Sequence, residues 1–528
     1  MKRSNLIFLN ILAVLILATI FSCLDPPGHA MQGWFAYLIA FAFGTLILHI
    51  CRRVLPAGQH AKKVFGIVLI GLALRLAISV GISYALPQFG YDEEVQQAGY
   101  VFSDAYYRDS AAWRMAESEV SLLSAFTGGD RSDQYGGLLF ISSAAYRYLS
   151  PDLHRSLLVS VFASFAGALA IFFGWGFTEK LFGVRAAFMA AWIIALFPDA
   201  ILVSASQMRE PFLIFGLSIV LYALSIVRKE SSTTGWVFAA CGLVLLVLVS
   251  PPYAAIATLL FGLGWIWGDI RKRVSLRSVL ILLAILLVIA IALILTLRAW
   301  SVVAESRGIE GLAVFEYWLL TGSDYQRFLL EQGSGTVQKM FALAPEWMQV
   351  PMTLLYGLIQ PFLPASAFSE GAVVWTAIGI WRGIGWMVML MLLVYSFLAV
   401  LGSGKLLALP GFLALTSWGW ALVTSYRAAG DLWDNPRYRV VLIVVQAALV
   451  SWAWDYSHRQ NSPWLKRIAA AVGYVYLIFM IWYAGRYQLI PRIYIRQTLI
   501  LSVAGFVIII AAGIIRDRMQ RSKDSLTE

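Results

Sequence analysis

Apolar runs of about 15–25 residues recur along the chain between short polar turns, each long enough to cross a hydrocarbon core as a helix. Backbone N–H and C=O groups must pair internally in lipid, so the runs predict helices rather than irregular strands. The predicted spans are Asn5–Leu24, Gly33–Cys51, Val64–Leu86, Leu157–Phe177, Ala186–Val203, Phe212–Val227, Trp236–Ser250 and Tyr253–Trp267. They continue with Val279–Leu297, Val373–Leu401, Leu406–Ser425, Val440–Trp454, Ile468–Ala484 and Thr498–Ile515, giving about 14 spans. Gly136–Leu149 and Pro351–Leu363 are shorter and read as re-entrant or interfacial. The expected fold is all-α, a polytopic membrane helical bundle with amphipathic helices on its outward face.

Composition excludes a soluble domain of this size, since 60% of the 528 residues are hydrophobic and only 13% are charged. Basic residues gather at alternate turns: Arg52, Arg53, Lys62 and Lys63; Arg271, Lys272 and Arg273; Arg516, Arg518 and Arg521. The rule that Lys and Arg stay in cytoplasmic loops puts these turns and both termini inside, and most carboxylates outside. The net charge of +11 follows from that topology and gives no argument for nucleic acid. After Asn5–Leu24 no small-residue cleavage site follows, so that run reads as an anchor. The three cysteines offer neither a disulfide framework nor a metal-ligand spacing, and the five histidines are scattered. No Walker loop or GxGxxG opens a helix.

The scarce charges concentrate in GYDEEVQQAGYVFSDAYYRD, just after the third span, where Asp92, Glu93, Glu94, Asp104 and Asp109 crowd together. Such a cluster at a membrane mouth suits a cation, a substrate or proton transfer. Within the outward loop 87–156, Tyr106–Ala125 alternates apolar and charged positions at helical spacing, predicting an amphipathic helix on the membrane surface. Two further outward turns carry cations. In SQMREP, Arg209 and Glu210 stand where a helix re-enters the membrane, with Pro211 suited to its first turn. In DNPRYR, Arg437 and Arg439 flank Tyr438 behind Asp434. A guanidinium fork binds phosphate in bidentate fashion, although an arginine at a helix end can also simply snorkel to the headgroups. Residues at i and i+2 do not share a helix face. One arginine of the pair, with Arg437 favoured, is therefore expected to face a cavity, and the other to pair with Asp434 or snorkel.

The acidic loop with FSDAYYRDSAAWRMAES, the segment DQYGGLLFISSAAYRYLSP, the hairpin EKLFGVRAAFMAAWIIALFPDAILVSASQMREP and the late DNPRYR together resemble the GT-C membrane glycosyltransferases. That group includes protein O-mannosyltransferases and the aminoarabinose transferase of lipid A. The resemblance covers mainly residues 90–230 and the region near 437, and the N-terminal hairpin precedes the span that comes first in the family pattern. It implies a GT-C-like fold and transfer of a sugar, with inversion, from a polyprenyl-phosphate donor to a glycan, lipid or protein acceptor. Asp92 with Glu93, or Asp104, matches the family's acidic position as catalytic base. Arg209, Arg437, Arg439 and Tyr438 would hold the donor phosphate, with Asp109, Glu210 and Asp434 as further candidates. Paired carboxylates could also hold a divalent cation, and the sequence leaves that open.

Other functions are a polysaccharide polymerase or ligase, which often uses Arg and His in a late outward loop, and a transporter or flippase. The late loop, 298–372, has no His; only Arg75 and Arg382 are charged well within spans, and no internal repeat is evident. The expected organisation is an N-terminal hairpin (1–63), a GT-C-like core (64–297), the outward loop (298–372) and C-terminal spans (373–528), placed in the plasma membrane. Cysteine labelling tests the orientation: a cysteine introduced after Leu86 should react from outside, and one after Arg518 only from inside.

Overall fold

The computed structural model describes residues 3–25, 31–55, 58–127, 133–229, 233–267, 276–305 and 335–527, with parts of 307–317. Arg271, Lys272, Arg273 and residues 318–334 of the late loop lie outside the described residues, as does the side chain of Arg521. All regular structure among the described residues is helical.

The chain forms two units. The first comprises Met1–Gln332 and Arg437–Ala447. It contains α1 (Arg3–Leu24), α2 (Met31–Val54), α3 (Ala61–Phe89), α4 (Glu94–Gln97), α5 (Ser103–Glu117), α6 (Gly137–Leu149) and α7 (Ser156–Phe182). It continues with α8 (Val184–Leu196), α9 (Pro198–Ala205), α10 (Glu210–Lys229), α11 (Thr233–Val249), α12 (Pro251–Ile266) and α13 (Leu276–Glu305). The second comprises Gly333–Pro436 and Ala448–Glu528. Its helices are α14 (Gly335–Leu343), α15 (Glu346–Ile359), α16 (Leu363–Phe368), α17 (Val373–Gly402) and α18 (Leu409–Ala428). The chain passes between units within α19 (Asp434–Arg439) and α20 (Ile443–Arg459), and then forms α21 (Trp464–Arg486) and α22 (Ile495–Thr527).

The predicted apolar runs are largely helical, and the count of about 14 spans is not confirmed. Among the described residues nine helices are long and apolar enough to cross a membrane, or ten if α8 and α9, bent by 48°, form one broken span. The apolar helices α11 and α12 are only 17 and 16 residues long, and the side chains of residues 3–7 in α1 lie outside the described residues. In α18, Thr416, Ser417, Thr424 and Ser425 dilute the apolar character. The nine helices make the chain an integral membrane protein.

The bend between α8 and α9 has an identifiable cause. Phe197 is extended and Pro198 occupies the first turn of α9. Proline has no N–H to give the carbonyl four residues back, here Ile194, and its ring clashes with that turn. The guanidinium of Arg75, in α3, replaces the missing donor. It donates to Ile194 O at 3.1 Å, Ala195 O at 3.3 Å, Gly71 O at 2.8 Å and Ser204 Oγ at 3.3 Å. A side chain at Gly167 in α7 would strike Ser204 Oγ and Arg75 Nε, so this crossing needs a glycine. Arg75 therefore fastens a broken helix. Arg382, the other cation within a span, lies 4.5 Å from the centre of the Trp433 ring in the second unit.

The expected surface helix Tyr106–Ala125 ends earlier, at Glu117, and residues 122–127 form a 3₁₀ turn. The side chain of Arg147 on α6 explains the stop. It donates to the carbonyls of Met115 and Ala116 in the last turn and to those of Ser118 and Val120 just beyond it. Ala111 and Ala112 of α5 are buried with Leu139 and Tyr146 of α6 and Val159 of α7, so the apolar face packs on protein. The small residues let α5 approach closely.

Replacing Arg75 by Leu removes donors that no water can replace. Leaving two buried carbonyls unpaired should destabilise the protein by roughly 2–5 kcal/mol. A drop in the melting temperature of purified protein would show it, whereas Arg52→Leu at a helix end should change it little.

Candidate active site in the first unit

Asp104 lies in the first turn of α5, where a carboxylate is favoured by the free N–H groups and the helix dipole. Its Oδ2 accepts a 2.9 Å hydrogen bond from a terminal nitrogen of Arg437. Arg437 Nε lies 3.4 Å from Oε1 of Glu210, the first residue of α10. Another Arg437 nitrogen donates to the Tyr438 hydroxyl at 3.1 Å, and the guanidinium lies 5.0 Å from the Tyr438 ring centre and 5.9 Å from that of Phe102. Three distant sequence segments thus meet on one cation.

The two carboxylates differ in exposure. The Asp104 side chain is 55% exposed and can be reached by a solute, whereas that of Glu210 is 2% exposed. Glu210 Oε2 has no hydrogen-bond partner among the described residues. Burial alone would raise the Asp104 pKa, but Arg437, helped by Arg108 and Arg209, takes it below the ordinary value. Arg209 sits beside Glu210 with its guanidinium 5.5 Å from the Tyr135 ring centre. Burial lowers the Arg209 pKa, and Glu210 and Asp133 more than offset that, leaving it raised.

The structure therefore brings together Asp104, Glu210, Arg437 and Tyr438, with Arg209 in electrostatic reach. It places the other candidates elsewhere. Asp92 is exposed, and no hydrogen bond or ion pair among the described residues joins it to this cluster. Glu93 Oε2 accepts from Gln96, and Glu94 accepts from the Tyr106 hydroxyl. Arg439 is 2% exposed, so protein surrounds it. Asp434 belongs to the second unit and begins α19, its N–H bonded to Asp431. Asp109 forms a separate buried cluster. It accepts from the Tyr100 and Tyr146 hydroxyls, each at 2.5 Å, and lies 2.7 Å from His154 Nε2. Burial and this carboxylate hold both phenols well above their usual pKa.

Two members of the site escape a reading by sequence. Arg108 is buried one helical turn beyond Asp104 and donates to Gln207 O at 3.4 Å. The i, i+4 spacing from Asp104 was its signal. Asp133 is buried and accepts the Leu138 and Leu139 N–H groups that open α6. For a divalent cation the fit is poor. Asp104 and Glu210 face a shared guanidinium, and no group of three or more His, Cys, Asp or Glu among the described residues could hold a metal.

No protein-family pattern matches the chain, nor does any curated protein. Among solved structures, the chain is similar to the archaeal oligosaccharyltransferase AglB from Archaeoglobus fulgidus in complex with an inhibitory peptide and a dolichol-phosphate. The identity is 15% and the TM-score 0.41, covering 85% of this chain and 56% of that one. A structure of the Archaeoglobus fulgidus oligosaccharyltransferase with Zn and sulfate is similar at 16% identity and TM-score 0.41, over 78% of this chain and 52% of that one. This chain spans only about half the length of these proteins.

The depressed pKa of Asp104 predicts a pH dependence. Stability from the Asp104–Arg437 pair is fully present above the unfolded carboxylate pKa and is lost as pH falls through the lower folded value. Acid titration of unfolding should show this loss, and Asp104→Asn should flatten that part of the curve.

Proposed function

We propose that the protein is a membrane glycosyltransferase that moves a sugar from a polyprenyl-phosphate donor to a hydroxyl acceptor at the outer face, with both termini cytoplasmic. The observation that carries this reading is the Arg437 guanidinium shared between an accessible carboxylate, Asp104, and a buried one, Glu210. The pair supplies what the chemistry needs, a proton acceptor open to a solute and a fixed cation beside it.

The resting ion pair keeps Asp104 ionised but makes it a weak base. A donor phosphate that draws Arg437 away weakens that pairing and raises the basicity of Asp104 when donor is bound. The acceptor hydroxyl then loses its proton to Asp104 as its oxygen bonds to the anomeric carbon. The bond from that carbon to the phosphate oxygen breaks, and the electron pair leaves with the phosphate. Arg437, with Arg209 nearby, stabilises the added negative charge, as fixed cations do for a leaving phosphate. Glu210 keeps Arg437 from turning fully toward Asp104. Asp92, Glu93 and Arg439 have no comparable geometry in this reading.

Purified protein given a labelled polyprenyl-phosphate sugar tests it. Asp104→Asn should lower turnover roughly 10²–10⁴-fold while the protein still inserts and folds. Arg437→Lys should weaken use of the donor, because a bidentate fork becomes a point charge. Unchanged turnover in Asp104→Asn would remove the proposed base, and unchanged donor dependence in Arg437→Lys would move the phosphate to Arg209.

A further inference from the structure

The turn that delivers Arg209 and Glu210 rests on a small polar cavity. Gln207 in this turn has φ of +55°, a left-handed conformation that a side chain rarely adopts. Such a residue persists when its surroundings over-determine it. Gln207 Nε2 donates to Ser156 O at 2.6 Å, and its backbone carbonyl accepts from Arg108. The first bond orients the amide, leaving Gln207 Oε1 as an acceptor that needs a donor.

Among the described residues no protein donor bonds it. Gln207 Oε1, Ser206 Oγ and Ser79 Oγ are all buried and have no hydrogen-bond partner among the described residues. All three residues line one cavity of about 20 Å³, together with Tyr100, Ser156 and Ser160. One water needs about 10–15 Å³ and typically makes two to four hydrogen bonds to buried polar groups. The cavity has the volume for one such molecule and the partners to hold it.

We infer that an ordered water molecule occupies this cavity and bridges Ser79 on α3 to Ser206 and Gln207 in the turn before α10. The water accepts from the two serine hydroxyls and donates to Gln207 Oε1, which satisfies all three orphan atoms. It thereby ties the turn bearing Arg209 and Glu210 to a membrane-spanning helix. Tyr100, which also lines the cavity, bonds to Asp109 and so links the bridge to α5. The inference does not depend on the glycosyl-transfer reading, since it concerns what holds the turn and not what the site transforms.

The test is a density map of the full chain in lipid nanodiscs, sharp enough to show ordered waters. A peak about 2.7–3.2 Å from Ser79 Oγ, Ser206 Oγ and Gln207 Oε1 is expected. Ser79→Ala should keep it, because two partners remain. Ser79→Val fills the cavity and should abolish it, with faster amide hydrogen exchange in residues 206–210 than in the unsubstituted protein. An empty cavity in the unsubstituted chain would overturn the inference. So would a peak that comes and goes with added sodium or potassium salt, which would mark a cation instead. Exchange unchanged in Ser79→Val despite loss of the peak would show that the water does not tie down the turn.

Discussion

The interaction on which the first unit depends is the capping of a broken helix by Arg75. In a hydrocarbon environment an unpaired carbonyl is costly, and irregular backbone survives only where protein satisfies it. Pro198 forces a break after α8, and Arg75 binds the carbonyls of Ile194 and Ala195 that the break exposes. Because the break is satisfied, α9 can leave the line of α8 and end at Ala205. The turn that follows then starts α10 with Glu210, the buried carboxylate beside Arg437.

A second set of contacts fixes the opposite wall. The guanidinium of Arg147 closes the C-terminus of α5, and the carboxylate of Asp109 collects hydrogen bonds from Tyr100 and Tyr146 and meets His154. These partners come from the segment before α5, from α6 and from the turn before α7. They hold α5 at its middle and its C-terminus, and Asp104 in its first turn meets Arg437. The acidic loop therefore holds one buried carboxylate, Asp109, and one exposed carboxylate, Asp104.

Electrostatics follows from that placement. A buried guanidinium is tolerated when carboxylates surround it, and Arg437 has two. A shared cation gives each carboxylate less than a full partner. Arg209 and Arg108 enlarge the positive field, and Asp133 balances it while capping α6.

The apolar runs alone determined that the chain is helical and membrane-embedded, because the length and hydropathy of a segment are local properties that lipid reads directly. They also located the acidic loop and both arginine turns, since charges are rare enough here to stand out. The number of spans was less legible. Whether 10–17 apolar residues cross a bilayer, or whether α8 and α9 act as one, depends on packing and not on composition. That Asp104 rather than Asp92 meets Arg437 likewise became visible only in three dimensions, whereas Arg437 was already favoured over Arg439 in the sequence. The two aspartates are close in sequence and chemically alike, and an ion pair between residues 104 and 437 exists only once helices far apart in the chain have met. The burial of Arg108 and Asp133 was not legible in the sequence, because burial is a property of the assembled helices and no single segment carries it.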